Sequence, residues 1–278
     1  MPIQSGADES TGYVSRLFTV VSTWATQLVR LPSQTHRAEA TQRLARTTLI
    51  IAVIAALLIV TLMVWFDAWE IALMPPRGTA SLWPLRILTG FGKDSCVLLL
   101  VAALLLAVGL VAPAMHEPAR RRLLAIGLRL QFVFFAVSVP LVAGELLKWV
   151  AGRGRPFVGG AANAFNFVPF AGTEAHASFP SAHSITAFAL AFAVAAAWPR
   201  LRGLMVAYAL MIAFTRLMLL AHHPSDVVAG ATIGVIGAMC VRYWFAVRGL
   251  GFSIGSGGVI LPVAGGALKG VAAEPPAP

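Results

Sequence analysis

The sequence predicts an all-α fold: a polytopic membrane protein with six transmembrane helices in a bundle. Three observations carry that expectation. Of the 278 residues, 58% are hydrophobic and only 12% charged, well below the charged share of soluble domains. Six apolar stretches approach or reach the roughly 20 residues that cross a hydrocarbon core. The formal net charge of +10 sits largely in short arginine clusters between those stretches, the pattern of loops held on the cytoplasmic side, so no nucleic-acid partner is expected. Cys96 and Cys240 fall in or near separate apolar runs and read as small core residues, not as a disulfide.

The segment from Met1 to about Gly12 is polar and reads as disordered. From Val14 to Leu31, the residues Leu17, Phe18, Val21, Trp24 and Leu28 recur at helical spacing between Arg16 and Arg30. That helix either lies in the membrane interface or packs on the protein itself. Residues 1–46 thus form a cytoplasmic arm, 47–248 the six-span domain, and 249–278 a flexible Gly/Ala/Pro-rich tail. The first long apolar run begins only after Arg46, so no secretory leader is expected. Span one covers about Thr47–Phe66 and stops at Asp67; span two is Ser95–Met115; span three is Leu124–Lys148, with Pro140 as a kink. Spans four, five and six are Ser184–Trp198, Gly203–Ala221 and Val227–Val247.

Arginines in the loops His116–Arg122 and Arg200–Arg202 place those loops and both termini in the cytoplasm. The connections Ala68–Asp94 and Ala151–Phe179 then lie outside. Arg77, Arg86 and Lys93 in the first, and Lys148, Arg153 and Arg155 around the second, break simple charge counting. Cations kept at a membrane edge against that rule often serve a ligand.

Three constellations carry chemistry. In FPSAHS, Ser181 is a good N-cap, and the free N–H groups that follow form an anion site at the positive end of a helix dipole. His183 lies just inside it, placed to hand a proton to a leaving group. Six residues separate Lys148 from Arg155, with Pro156 following; the guanidinium fork suits two phosphate oxygens. Arg216 sits near the end of an apolar span, where an unpaired charge costs roughly 2.5–3.5 kcal/mol. His222 follows it with five residues between, and Asp226 follows His222 with three between. Asp226 is therefore positioned to orient the imidazole and leave its other nitrogen nucleophilic, with His223 the near competitor. Glu145 is expected to pair with Lys148 or Arg153, and Glu174 and His176 lie on the loop within reach of a headgroup.

These motifs resemble the type 2 phosphatidic acid phosphatase superfamily, which includes the vanadium haloperoxidases. The family pattern is Lys, six residues, Arg-Pro; Pro-Ser-Gly-His; and Ser-Arg, five residues, His, three residues, Asp. Here it reads Lys148–Arg155–Pro156; Pro180–Ser181–Ala182–His183; and Thr215–Arg216–His222–Asp226. Ala182 replaces the family glycine and Thr215 the serine; neither removes a catalytic group.

The resemblance implies an integral-membrane lipid phosphate phosphatase of a bacterial inner membrane, with its active site at the extracytoplasmic face. His222 becomes a phosphohistidine, Asp226 orients it, and His183 protonates the leaving alkoxide. Lys148, Arg155, Arg216, Ser181 and the Ala182 backbone hold the phosphoryl oxygens, with Arg153, Glu174 and His176 as further headgroup contacts. It implies no cofactor and no metal. The same motifs fit a lipid phosphotransferase, and an inactive lipid-binding or transport protein stands as the reading from another class. A zinc site made of His176, His183, His222 and Asp226 is disfavoured by the three cations converging there.

Overall fold

The computed structural model describes residues 12–32, 36–158 and 164–263. The arm before Gly12, residues 159–163 of the second connection and the tail beyond Val263 lie outside them. Nine α-helices and one short hairpin form among the described residues: α1 (Tyr13–Leu28), α2 (Arg37–Trp65), α3 (Asp67–Leu73), α4 (Trp83–Gly90), α5 (Asp94–Val111), α6 (Glu117–Ala151), α7 (Ala182–Ala197), α8 (Arg202–Met218), α9 (Pro224–Val247), then β1 (Phe252–Ile254) and β2 (Ile260–Pro262).

Among the described residues, five helical stretches are long and apolar enough to cross a membrane: α2, α4 joined with α5, α6, α8 with the turn before it, and α9. The expected fourth span, α7, has 16 residues and falls short of the usual length. Outer faces stay apolar, as lipid contact requires. On α2, Val53, Leu57, Val60 and Val64 are all exposed.

Small residues set the centre. α7 packs against α6, α8 and α9, burying Ala187, Ala189, Ala191, Ala193 and Ala197. α9 answers with Gly230 and Gly234: a Cβ at either would stand 2.5 Å from the carbonyl oxygen of Ser181 or Ile185. Such small-residue seams let helix backbones approach closely where no hydrophobic drive separates helix from lipid. Here the seam also carries the site, because Ser181 N–H donates to the Asp226 carbonyl at 3.1 Å.

The structure decides between the two readings of the first helix and changes several other expectations. α1 packs on the bundle: Val20 is buried, Trp24 lies against Gly109 and Gly127, and the Tyr13 hydroxyl donates to the Leu110 carbonyl. α2 begins at Arg37 and runs unbroken through residue 47. Pro140 lies inside α6, which continues to Ala151. The tail is not flexible from its start, since β1 and β2 pair antiparallel and Phe252 packs edge-on against Phe132, 4.8 Å between ring centroids. Cys96 and Cys240 are free and exposed on helix surfaces, not core.

Candidate active site

The site is assembled at one end of the bundle. The carboxyl ends of α6 and α8 bring Lys148 and Arg216, and the amino ends of α7 and α9 bring Ser181, His183 and Asp226. α6 stops at Gly152, whose φ of 55° is left-handed. A Cβ there would stand 1.8 Å from the Val168 carbonyl oxygen, so the tight exit requires glycine. The Val168 N–H then donates to the Gly152 carbonyl at 2.8 Å, and the turn sends Arg153 inward and Arg155 outward.

Arg153 is fully buried. Its NH1 donates to Asp226 Oδ1 and Ser225 Oγ, each at 2.6 Å, and its NH2 to Asp67 Oδ2 at 2.7 Å and the Ala164 carbonyl. Ser225 gives its hydroxyl and its N–H to Asp67. Asp226 Oδ2 accepts from the Ser178 hydroxyl at 2.6 Å and from the His223 N–H at 2.9 Å. The Ser178 N–H in turn donates to the Arg153 carbonyl at 3.0 Å. Every charge in this knot is paired and hydrogen-bonded, the condition under which buried ions are tolerated. Glu70, one turn along α3, is the exception. Its carboxyl oxygens have no hydrogen-bond partner among the described residues. Burial, with Asp67 and Asp226 nearby, pushes it up to about 8, so it is protonated at neutral pH.

His222 sits in the turn between α8 and α9, 3% exposed. Its Nδ1 lies 2.8 Å from the Ser178 carbonyl oxygen and 4.0 Å from Asp226 Oδ2. A carbonyl only accepts, so Nδ1 carries the proton and the neutral ring keeps its lone pair on Nε2. Burial, then Arg216 and Arg155, hold the imidazole well below its ordinary pKa. The expected direct hydrogen bond from Asp226 is therefore replaced by the Ser178 carbonyl. Asp226 acts one step removed, because Arg153 and Ser178 already occupy its oxygens.

Arg216, Arg155 and His183 act electrostatically on His222, and the other residues singled out in the sequence lie at the same end of the bundle. Ser181 caps α7, its hydroxyl accepting from the Ser184 N–H. Ala182 opens the helix and His183 follows, within electrostatic reach of Lys93, Lys148, Arg155 and Arg216. Lys148 pairs with Glu145, one of the two expected partners. Arg216, 7% exposed, donates through NH1 to the Thr89 hydroxyl at 2.8 Å, while its Nε has no partner among the described residues. Arg155 donates to the Glu174 carbonyl at 3.0 Å. Burial lowers the Arg155 pKa, Glu174 opposes that shift, and Arg77 adds to it. A cavity of about 390 Å³ opens between Arg77, Arg86, Arg155 and Arg216.

Arg153 is thus not a headgroup contact: two carboxylates and a carbonyl consume its donors inside the protein. Glu174 is exposed and faces Arg155 at 3.7 Å, and His176 Nδ1 lies 3.1 Å from the Thr173 hydroxyl. Both stay at the loop rim. Sequence reasoning missed Asp67, Ser178, Ser225 and Thr89. The one available signal was Asp67, an acid closing an apolar span; a lone serine in a polar loop carries none. Among the described residues no three His, Cys, Asp or Glu side chains gather as metal ligands.

Residues 129–250 match the family model described as PAP2 superfamily. A lipid A 1-phosphatase of Rhizobium johnstonii is 36% identical over 175 residues, covering 62% of this chain and 71% of the relative. One from Rhizobium etli is 35% identical over the same length, covering 62% and 75%. The bacitracin transport permease protein BcrC of Bacillus licheniformis is 28% identical over 141 residues, covering 51% and 64%. No solved structure matches. With spacing, site layout and relatives in agreement, the chain belongs to the PAP2 superfamily.

Proposed function

We propose that this membrane phosphatase hydrolyses a lipid phosphate through a phosphohistidine on His222, without a metal. The observation that carries the reading is the buried, neutral His222. Its Nδ1 proton is fixed by the Ser178 carbonyl, and Arg155 and Arg216 act on the same ring. In the first step Nε2 attacks phosphorus, the bond to the lipid oxygen breaks, and His183 gives that oxygen its proton. In the second, His183 takes a proton from water, whose oxygen attacks phosphorus and frees His222 and inorganic phosphate. Phosphoryl transfer needs positioning and charge stabilisation above all, which Lys148, Arg155, Arg216 and the α7 amino terminus supply.

The basic loops argue for six spans, cytoplasmic termini and an active site on the outer face of a bacterial inner membrane. Lys148 and Arg216 stand near helix ends, so a phosphate held there lies at headgroup depth with its acyl or prenyl chain left in the bilayer. The two lipid A 1-phosphatases make a glycolipid 1-phosphate the first substrate to test, with a prenyl diphosphate and a phosphatidate beside it.

The test is phosphate release from those lipids by purified protein in mixed micelles with EDTA present. Wild type is expected to release phosphate and be inhibited by vanadate; His222→Ala is expected to be inert while inserting normally. Loss of activity in EDTA with recovery on added Mg²⁺ or Zn²⁺ would refute the metal-free route. Phosphate recovered on a second lipid would make the protein a transferase. Equal kcat/KM for glycerol 3-phosphate and a long-chain phosphatidate would remove the lipid specificity.

A further inference from the structure

Arg77 and Arg86 belong to none of the family motifs, and charge counting leaves them unexplained. Arg77 follows Pro75-Pro76 after α3, and Arg86 lies on α4. Both are held in place. The Arg77 guanidinium lies 3.7 Å from the Phe157 ring centroid, a stacking that orients the fork. Arg86 NH2 donates to the Thr79 carbonyl at 3.2 Å. The cavity they line with Arg155 and Arg216 is also lined by Gly78, Leu82, Leu219 and Ala221.

Four guanidinium groups around one cavity of about 390 Å³ repel one another. Glu174 faces Arg155 alone, and among the described residues no carboxylate lies within ion-pair distance of Arg77, Arg86 or Arg216. Compare the knot around Arg153, where one guanidinium meets two carboxylates. Arg216 is nine-tenths buried and gives NH1 to the Thr89 hydroxyl, so its charge is neutralised by no carboxylate among the described residues. A single phosphate held against His222 engages Lys148, Arg155 and Arg216 and leaves Arg77 and Arg86 unspent.

We infer that Arg77 and Arg86 form a second anion subsite, which binds a phosphate directly attached to the one that His222 attacks. The inference rests on the phosphatase reading and deepens it. The preferred substrate is a long-chain diphosphate: the terminal phosphoryl group goes to His222, and the inner phosphate, which leaves with the lipid, is gripped by Arg77 and Arg86. Its developing negative charge as leaving group is met by cations already in place, so the subsite acts on turnover as well as on binding. Arg216, which lines the cavity and also acts on the His222 ring, joins the two positions.

The experiment compares a prenyl diphosphate with the prenyl monophosphate of the same chain, in micelles. Wild type should show at least a tenfold higher kcat/KM for the diphosphate. The double variant R77Q/R86Q should reduce that ratio at least tenfold, and R77K/R86K should restore part of it, because charge without the fork is retained. Equal losses on both lipids, or no loss, overturn the subsite. A second arm measures binding of the two lipids to His222→Ala with and without R77Q/R86Q. There the arginine changes should weaken the diphosphate selectively, and unselective weakening overturns the proposal. If wild type releases phosphate from neither lipid, the hydrolase reading falls and the binding arm decides the subsite by itself. A 1,4′-bisphosphorylated glycolipid and inorganic diphosphate complete the panel. A ratio that responds to R77Q/R86Q only with the glycolipid would place the second phosphate at a distance and refute the directly attached one.

Discussion

Arg153 and Arg155 leave the same turn two residues apart and end in opposite settings. Arg153 is sealed between Asp67 and Asp226 with every donor engaged inside the protein. Arg155 joins Arg77, Arg86 and Arg216 around an open cavity where positive charge outnumbers negative. The difference shows that an arginine's role at this face is set by its counter-charges. Where the protein supplies carboxylates, the guanidinium is a fastener. Where it withholds them, the guanidinium waits for an anion.

The comparison is broken most severely from the buried side. Arg153→Ala strands two carboxylates in a closed interior, a loss of about 3–5 kcal/mol. It also releases one oxygen of Asp226, whose other oxygen anchors the Ser178 hydroxyl, and His222 depends on the Ser178 carbonyl. Thermal denaturation in detergent should fall sharply and phosphate release should vanish; an unchanged Tm would refute the fastener role. On the open side, Arg155→Gln should cost about 10²–10³-fold in kcat/KM while Tm stays within a degree or two of wild type. A large Tm loss there would erase the contrast.

Glu70→Gln is a smaller perturbation that sharpens the same contrast. The folded carboxyl keeps its proton up to about 8, against 4.5 ordinarily. That stabilisation is complete below about 4.5 and is lost as pH rises through about 8. Wild-type Tm should therefore decline across this window and the glutamine variant should decline less. Identical slopes would mean that Glu70 is not the titrating group. The smallest expected effect is on phosphoenzyme formation. With His222 held well below its ordinary value, the rate in single turnover should not fall as pH drops through about 6.5, the usual histidine range. A titration there with a wild-type amplitude would place a proton on His222 that its surroundings disfavour.

Much of the fold was legible because hydropathy and loop charge act locally. The spans predicted around Leu124–Lys148 and Val227–Val247 fall within observed helices, and that around Thr47–Phe66 overruns α2 by one residue. The motif spacings likewise brought Lys148, Ser181, His183, Arg216 and His222 to one end of the bundle. What failed was long-range pairing. Asp67 meets Ser225 across 158 residues of chain, and no periodicity encodes such a contact. In Gly-Arg-Gly-Arg the spacing selects Arg155 but says nothing about where Arg153 points; the left-handed Gly152 decides that. Asp226 was assigned to His222 by the familiar four-residue step. At a helix amino terminus, however, its carboxylate caps His223 N–H instead. The hairpin was missed because a Gly-rich, weakly periodic tail reads as unstructured until Phe132 offers it an aromatic shelf.

That hairpin also bears on the order in which the molecule is completed. Phe252 covers Phe132 near the middle of α6, and Gly258 fits so closely that a Cβ would stand 2.6 Å from the Ala40 nitrogen of α2. A ribosome delivers these residues after α1 to α9 have been made. The end of the bundle away from the active site therefore stays uncapped through synthesis and insertion. Chains released before Gly251 would carry α1 to α9 yet leave Phe132 without the ring of Phe252. Chains released after Val263 would carry both strands of the hairpin.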